Sequence, residues 1–286
     1  MNIWLQLLLT TLGWAATFHV SKHIVSEMPP LSAAIWRFAI AVAFLLPLTT
    51  HREGWEWGAL RRNAVPLLVM GGIGILGFQL GMFYGLETSS AANAALIMGL
   101  NPALTVALSA ALERRHIRLL QWCGLLLGIA GVAIVVSNGH WQSLLRLSFG
   151  RGDLWLLGGA AAWALYSVMI RRNVRGLGVM QITASTILIC TVAMTVGAAL
   201  WAPGNLLWPP RALWLPLLFI GVIGSGLAYV WWNAAVTKLG AARASMFMNL
   251  VPVFTIGIGT LMGQPVGPAQ LLGAALVIGG VILAVR

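Results

Sequence analysis

Gln121-Trp122-Cys123-Gly124, with Gly131-Val132 seven residues beyond that glycine, closes the first half of the chain. Gln270-Leu271-Leu272-Gly273, with Gly280-Val281 in the same place, closes the second. The two stretches stand 149 positions apart, and other pairs fall at nearly that interval. Gly13-Trp14-Ala15 returns as Ala162-Trp163-Ala164, and Lys22 meets Arg171. Met98-Gly99-Leu100-Asn101-Pro102 answers to Met248-Asn249-Leu250-Val251-Pro252 at an interval of 150. One such pair is weak; several in one order mark a duplicated unit. Its copies occupy residues 1–140 and 150–286.

The repeated material is apolar. Of 286 residues, 59% are hydrophobic and only 8% charged, and the mean hydropathy is +0.90. A soluble domain carries about 25% charged residues, so this chain cannot cover a water-facing surface. It reads as an all-α polytopic membrane protein. Ten runs have the length a bilayer crossing needs: 3–22, 31–50, 64–84, 89–111, 119–137, 153–171, 178–200, 212–235, 241–262 and 269–285. The first run, with no basic leader and no small-residue cleavage site, reads as a retained helix. Gly77, Gly81 and Gly85 recur at the four-residue spacing that lets helices approach closely.

The net charge of +11 sits in short connectors, which fits topology rather than nucleic acid. On the side of the N-terminus lie Arg52, Arg61, Arg62, Arg114, Arg115, Arg118, Arg171, Arg172, Arg175, Lys238, Arg243 and Arg286. The other side holds Lys22, Arg146, Arg151 and Arg211. Twelve against four places both termini in the cytoplasm. Tryptophans 55, 57, 141, 201, 208 and 214 fall near span ends, where indoles favour the headgroup boundary. Five spans per copy is an odd number, so the second copy enters the membrane inverted. Inverted repeats are a common construction of secondary transporters, with substrate bound near the midplane.

The motifs quoted above, with Trp14 to Lys22 and the small-apolar pairs Gly85-Leu86 and Ala235-Val236, resemble the ten-helix EamA-type members of the drug/metabolite transporter superfamily. The resemblance covers nearly the whole chain. One departure is Gln264, where the family often has Glu after the ninth span. The resemblance implies two inverted five-helix repeats and export of small metabolites through the cytoplasmic membrane of a bacterium. Within the family, the lining looks most like that of the aromatic amino-acid exporters.

The residues themselves suggest the lining. Trp14 and Trp163 fall near mid-depth of their spans and read as cavity wall; the alternative is packing, with each indole N–H on a helix carbonyl. Pro102 and Pro252 lie inside spans four and nine and free the carbonyls of Met98 and Met248. Thr17, Phe18, Phe78, Gln79, Phe83, Asn93, Asn101, Tyr166, Ser167, Tyr229, Trp232, Asn233 and Asn249 complete a set of π-faces and neutral polar groups. Such a set suits a neutral or zwitterionic solute with an apolar body.

The acids Glu27, Glu53, Glu56, Glu87, Glu113 and Asp153 map to connectors or span ends, so no mid-membrane carboxylate for proton coupling is evident. His19 is the best in-span titratable candidate; the alternative is a hydrogen-bonded histidine that does not titrate. Arg37 either snorkels outward or pairs with Glu87 as a gate, for which Lys22 is the second partner. The five scattered histidines, His116 among them, and the cysteines Cys123 and Cys190 offer no metal spacing or redox pair, so no cofactor is expected. No constellation for a membrane enzyme is present, and an inverted repeat does not suit a membrane chaperone. The expected protein is a transporter acting in the lipid bilayer, sufficient as a monomer. Amino acids with aromatic or apolar side chains are its leading substrates; nucleosides, threonine-like amino acids and xenobiotics are the alternatives.

Overall fold

The computed structural model describes residues 1–113, 118–137, 139–140, 142 and 150–285. Arg114, Arg115, His116, Trp141, Arg146 and Arg286 lie outside the described residues. Among the described residues, nine helices are long and apolar enough to span a bilayer. They are α1 (Ile3–Glu27), α2 (Pro30–Arg52), α3 (Ala64–Thr88), α4 (Asn93–Leu112), α5 (Leu119–Ser137), α6 (Arg151–Arg172), α7 (Val179–Trp201), α8 (Arg211–Leu239) and α9 (Ala241–Leu261). A shorter apolar helix, α10 (Pro268–Ala284), makes the tenth. The bounds follow the expected runs to within a few residues: α1 runs on to Glu27, and α4 starts only at Asn93. Asn2 accepts from the Trp4 N–H at the start of α1, and Pro30 occupies the first turn of α2, where a missing N–H costs nothing.

The Gln-x-x-Gly motif has a physical reading in two parts. The Gln121 side chain accepts the backbone N–H of Arg118 at 3.2 Å, and Gln270 accepts that of Gly267 at 3.0 Å. Each glutamine thus reaches back three residues to close an N-terminal turn, as the third residue of a capping box does. The glycines then let α5 and α10 touch backbone to backbone. A Cβ added to Gly124 would lie 2.5 Å from the Gly280 carbonyl oxygen, and one on Gly280 would lie 2.6 Å from that of Gly124. The Gly131 and Gly273 pair is equally reciprocal, at 2.6 and 2.7 Å. Gly124 answers to Gly273 in the repeat and Gly131 to Gly280, so each glycine faces the counterpart of the other glycine on its own helix. The two helices run antiparallel about a local two-fold, the relation that inverted repeats require.

Two compact units form, and neither coincides with a sequence repeat. The first contains Met1–Leu76 and Met169–Lys238; the second contains Gly77–Val168 and Leu239–Arg286. Each unit draws helices from both halves of the chain.

In the first unit, α2 and α7 are counterparts. Ser32, Ile35, Phe38, Ala41, Leu45 and Thr49 are buried on α2. Gln181, Ala184, Ile187, Cys190, Met194 and Ala198, each 149 residues on, are buried on α7. Both helices pack against π-helical turns, Met70–Ile75 inside α3 and Ile220–Leu227 inside α8. Gly71 fits against Thr186 and Ile189 of α7; Gly221 fits against Arg37 and Ile40 of α2. Between the α2–α3 and α6–α7 connectors, Glu53 accepts the N–H groups of Met180 and Gln181 at the start of α7, placing an anion at the positive helix end.

In the second unit, Gly77, Gly81 and Gly85 of α3 lie along α6, where a Cβ on Gly81 would stand 2.6 Å from the Trp155 carbonyl oxygen. The α4 span breaks at Leu100 between helices Ala91–Gly99 and Asn101–Glu113. The α9 span tightens to a 3-10 turn at Met246–Asn249. Pro102 and Pro252 each stand just past these irregularities, consistent with the carbonyl partner that proline removes.

Candidate functional site

The first unit gathers one group of the expected residues around the π turn of α8. At the end of that turn the Ala228 N–H bonds to the Ile223 carbonyl, five residues back rather than four. The donor that a regular α-helix would give to Gly224 has therefore moved. Trp14 Nε1 donates to the Gly224 carbonyl at 3.0 Å. Thr17, one turn on, donates to the Trp14 carbonyl at 2.7 Å, and its methyl occupies the space a Cβ on Gly224 would need. Thr10 donates to Gln6 and to the Ala228 carbonyl. The α1–α8 crossing is thus fastened by side chains to irregular backbone, a frequent feature of functional helices.

Around that crossing runs a row of rings. Trp14 meets Trp232 at 5.4 Å between centroids and Tyr229 edge-on at 6.2 Å. Tyr229 meets Phe38 edge-on at 6.3 Å. Trp14 is half-buried, whereas Tyr229, Trp232 and Phe38 are buried. Asn233, one residue past Trp232, donates to Thr183 of α7 at 2.8 Å. Arg37 Nε donates to Ser225 Oγ at 2.5 Å, and its guanidinium lies 5.2 Å from the Phe38 ring centre.

The second unit gathers another group. Trp163 lies between Phe78 at 5.3 Å and Tyr166 at 5.4 Å, and Trp163, Tyr166 and Ser167 are buried. Met98 packs on Ala94, Ile97, Leu156 and Ala160. Beside the break in α4, Asn101 Oδ1 lies 3.4 Å from the Thr105 hydroxyl, and Asn101 Nδ2 is buried with no hydrogen-bond partner among the described residues. Beside the 3-10 turn of α9, the Asn249 amide rests on Gly128, and its Oδ1 is likewise buried without such a partner. Buried amide groups left this way are uncommon in folded proteins. Met248, on the same turn, is half-buried.

Asn93 takes part in a polar cluster at the start of α6. It donates to Asp153 Oδ1 at 2.9 Å, alongside Ser89 Oγ at 2.5 Å, while the Gly150 N–H reaches Oδ2 at 2.7 Å. Asp153, at a span end as its position implies, is nevertheless buried. Three donors converge on it, which ties the α3–α4 turn to the first turn of α6. Sequence alone did not single out this latch; the Ser89-Ser90 pair just before α4 was its available signal. Of the remaining expected residues, Phe83 stacks edge-on with Tyr84 at 5.2 Å, Gln79 and His19 are half-buried, and Phe18, Lys22 and Glu87 are exposed.

The family model described as the EamA-like transporter family matches residues 2–137 and again 150–286. The transporter YyaM of Bacillus subtilis (strain 168) is 37% identical over 285 residues, covering 99% of this chain and 93% of YyaM. The aromatic amino acid exporter YddG of Ancylobacter novellus is 25% identical over 225 residues, covering 78% of this chain and 77% of the exporter. A solved crystal structure with 23% identity superposes with a TM-score of 0.83 over 98% of this chain and 95% of its own. That likeness shows the fold.

Proposed function

We propose that this chain, which belongs to the EamA-like transporter family, exports amino acids with aromatic or apolar side chains across the cytoplasmic membrane of a bacterium. A member of that family is a multi-pass membrane protein that moves small molecules; the substrate, the direction and the alternating-access cycle are the proposal. The observation that carries it is the ring cluster of half-buried Trp14 with Tyr229 and Trp232; the Trp14 indole bond to the Gly224 carbonyl is one that simple packing would also make. Half-buried Trp14 offers the face, and the buried rings in contact with it hold that face in place. A flat apolar side chain gains contact area and π-stacking from such a wall. The likeness to an aromatic amino acid exporter supports the same substrate class. The protein acts as a monomer with both termini in the cytoplasm.

Counterflow tests the proposal. Purified protein in liposomes is preloaded with unlabelled phenylalanine, tryptophan, threonine or a nucleoside and offered the labelled solute. Uptake of phenylalanine or tryptophan above empty liposomes, with threonine and the nucleoside spared, is the expected result. Uptake of the nucleoside alone would move the substrate class and leave the transporter standing.

A further inference from the structure

Arg37 breaks the symmetry of the first unit. The α2–α8 and α7–α3 crossings are repeat counterparts, as the matching seats of Gly221 and Gly71 show. Arg37 answers to Thr186 at an interval of 149, and Ser225 answers to Ile75 at an interval of 150. At the counterpart crossing, the Thr186 hydroxyl donates to its own helix, at Ile182 and Thr183, and Ile75 is buried. That crossing closes without a charge. The guanidinium at the other crossing is therefore not what the packing needs.

Its setting is that of a recognition group. Counted from Pro30, Arg37 lies about 10 Å along the helix axis, and an arginine inside a span is costly enough to suggest function by default. One of its five N–H donors is used by Ser225. Fixing Nε leaves the two terminal nitrogens, whose fork can grip a carboxylate. The ionisable groups that face it are the Tyr229 phenol and the Cys190 thiol; among the described residues no carboxylate pairs with it. The row of rings begins at the same place, running from Phe38 through Tyr229 to Trp14 and Trp232.

We infer that Arg37 receives the carboxylate of the transported solute, with Ser225 as its positioning residue and the ring row beside it for the apolar body. This rests on the amino-acid reading above. The alternative is that Arg37 merely fastens α2 to α8.

The test compares phenylalanine with phenylalaninamide, which lacks the carboxylate, in counterflow through full-length wild type, R37Q, R37K and S225A. The expected result is that R37Q raises the KM for phenylalanine about 10- to 100-fold, the range for losing a hydrogen bond to a charged group, and leaves amide flux unchanged. R37K should fall between, because it keeps the charge and loses the fork. S225A should raise KM less, at unaltered kcat. An unchanged KM in R37Q, or equal losses for acid and amide, would overturn the assignment in favour of fastening. Should R37Q fail to fold, competition on wild type decides: phenylacetate must inhibit phenylalanine uptake, and inhibition by phenylalaninamide alone overturns the inference. Should wild type carry no amino acid, the substrate class falls, and tryptophan fluorescence with phenylacetate decides Arg37 separately. Saturable quenching lost in R37K supports the assignment; quenching equal in both, or none in wild type, overturns it.

Discussion

Trp14 owes its orientation to a carbonyl that a regular α8 would keep for itself. Trp14→Phe keeps a ring and deletes the donor. Expected are a loss of about 1 kcal/mol in stability, read as a lower unfolding midpoint in detergent, and altered substrate preference in counterflow; unaltered preference would reduce Trp14 to a packing residue. Asp153 is the opposite case, a carboxylate that serves architecture. Asp153→Asn turns two acceptor oxygens into one and sets an amide N–H against one of three donors. It should cost about 1–3 kcal/mol while proton-gradient dependence of flux stays as in wild type. A changed gradient dependence would instead make it a coupling group. The counterpart places of Trp14 and Trp163 on their helices were legible in the sequence because they follow from counting residues. The partners were not, because a hydrogen bond to a π turn depends on where another helix, some 210 residues on, departs from regular geometry.

Between elements, the glycine seats decide what can touch. Gly124→Leu and Gly273→Leu are counterpart changes at one self-complementary crossing, so they should destabilise to a similar degree, by about 1–3 kcal/mol or more from overpacking. Thermal unfolding of the two purified variants is the check; a large inequality would mean the local two-fold is broken by something else. The ten spans and the glycine spacing could be read directly, since length and apolar composition fix a membrane helix. The π turns could not, although Met70-Gly71-Gly72 and Ile220-Gly221 stand at counterpart positions. A glycine permits a widened turn without requiring one, and the bulk of α2 and α7 settles which occurs.

At the scale of the molecule, the duplication in sequence and the units in space are different partitions. A half such as 1–140 holds α1 and α2 but lacks α7 and α8, and it holds α4 and α5 but lacks α9 and α10. Halves 1–140 and 150–286 expressed separately should each be unstable, and their co-expression should restore uptake; a stable half on its own would contradict the shared construction. That interleaving was not visible in the repeat, because an interval in sequence says which helices are alike and not which ones embrace. It also sets a clock. The ribosome adds about 5–20 residues per second, so the Gly124 face of α5 waits roughly 7–30 s for α10 to emerge. Through that wait its bare backbone lies against lipid or a chaperone, and the first half of every nascent chain is for those seconds a molecule with its seams open.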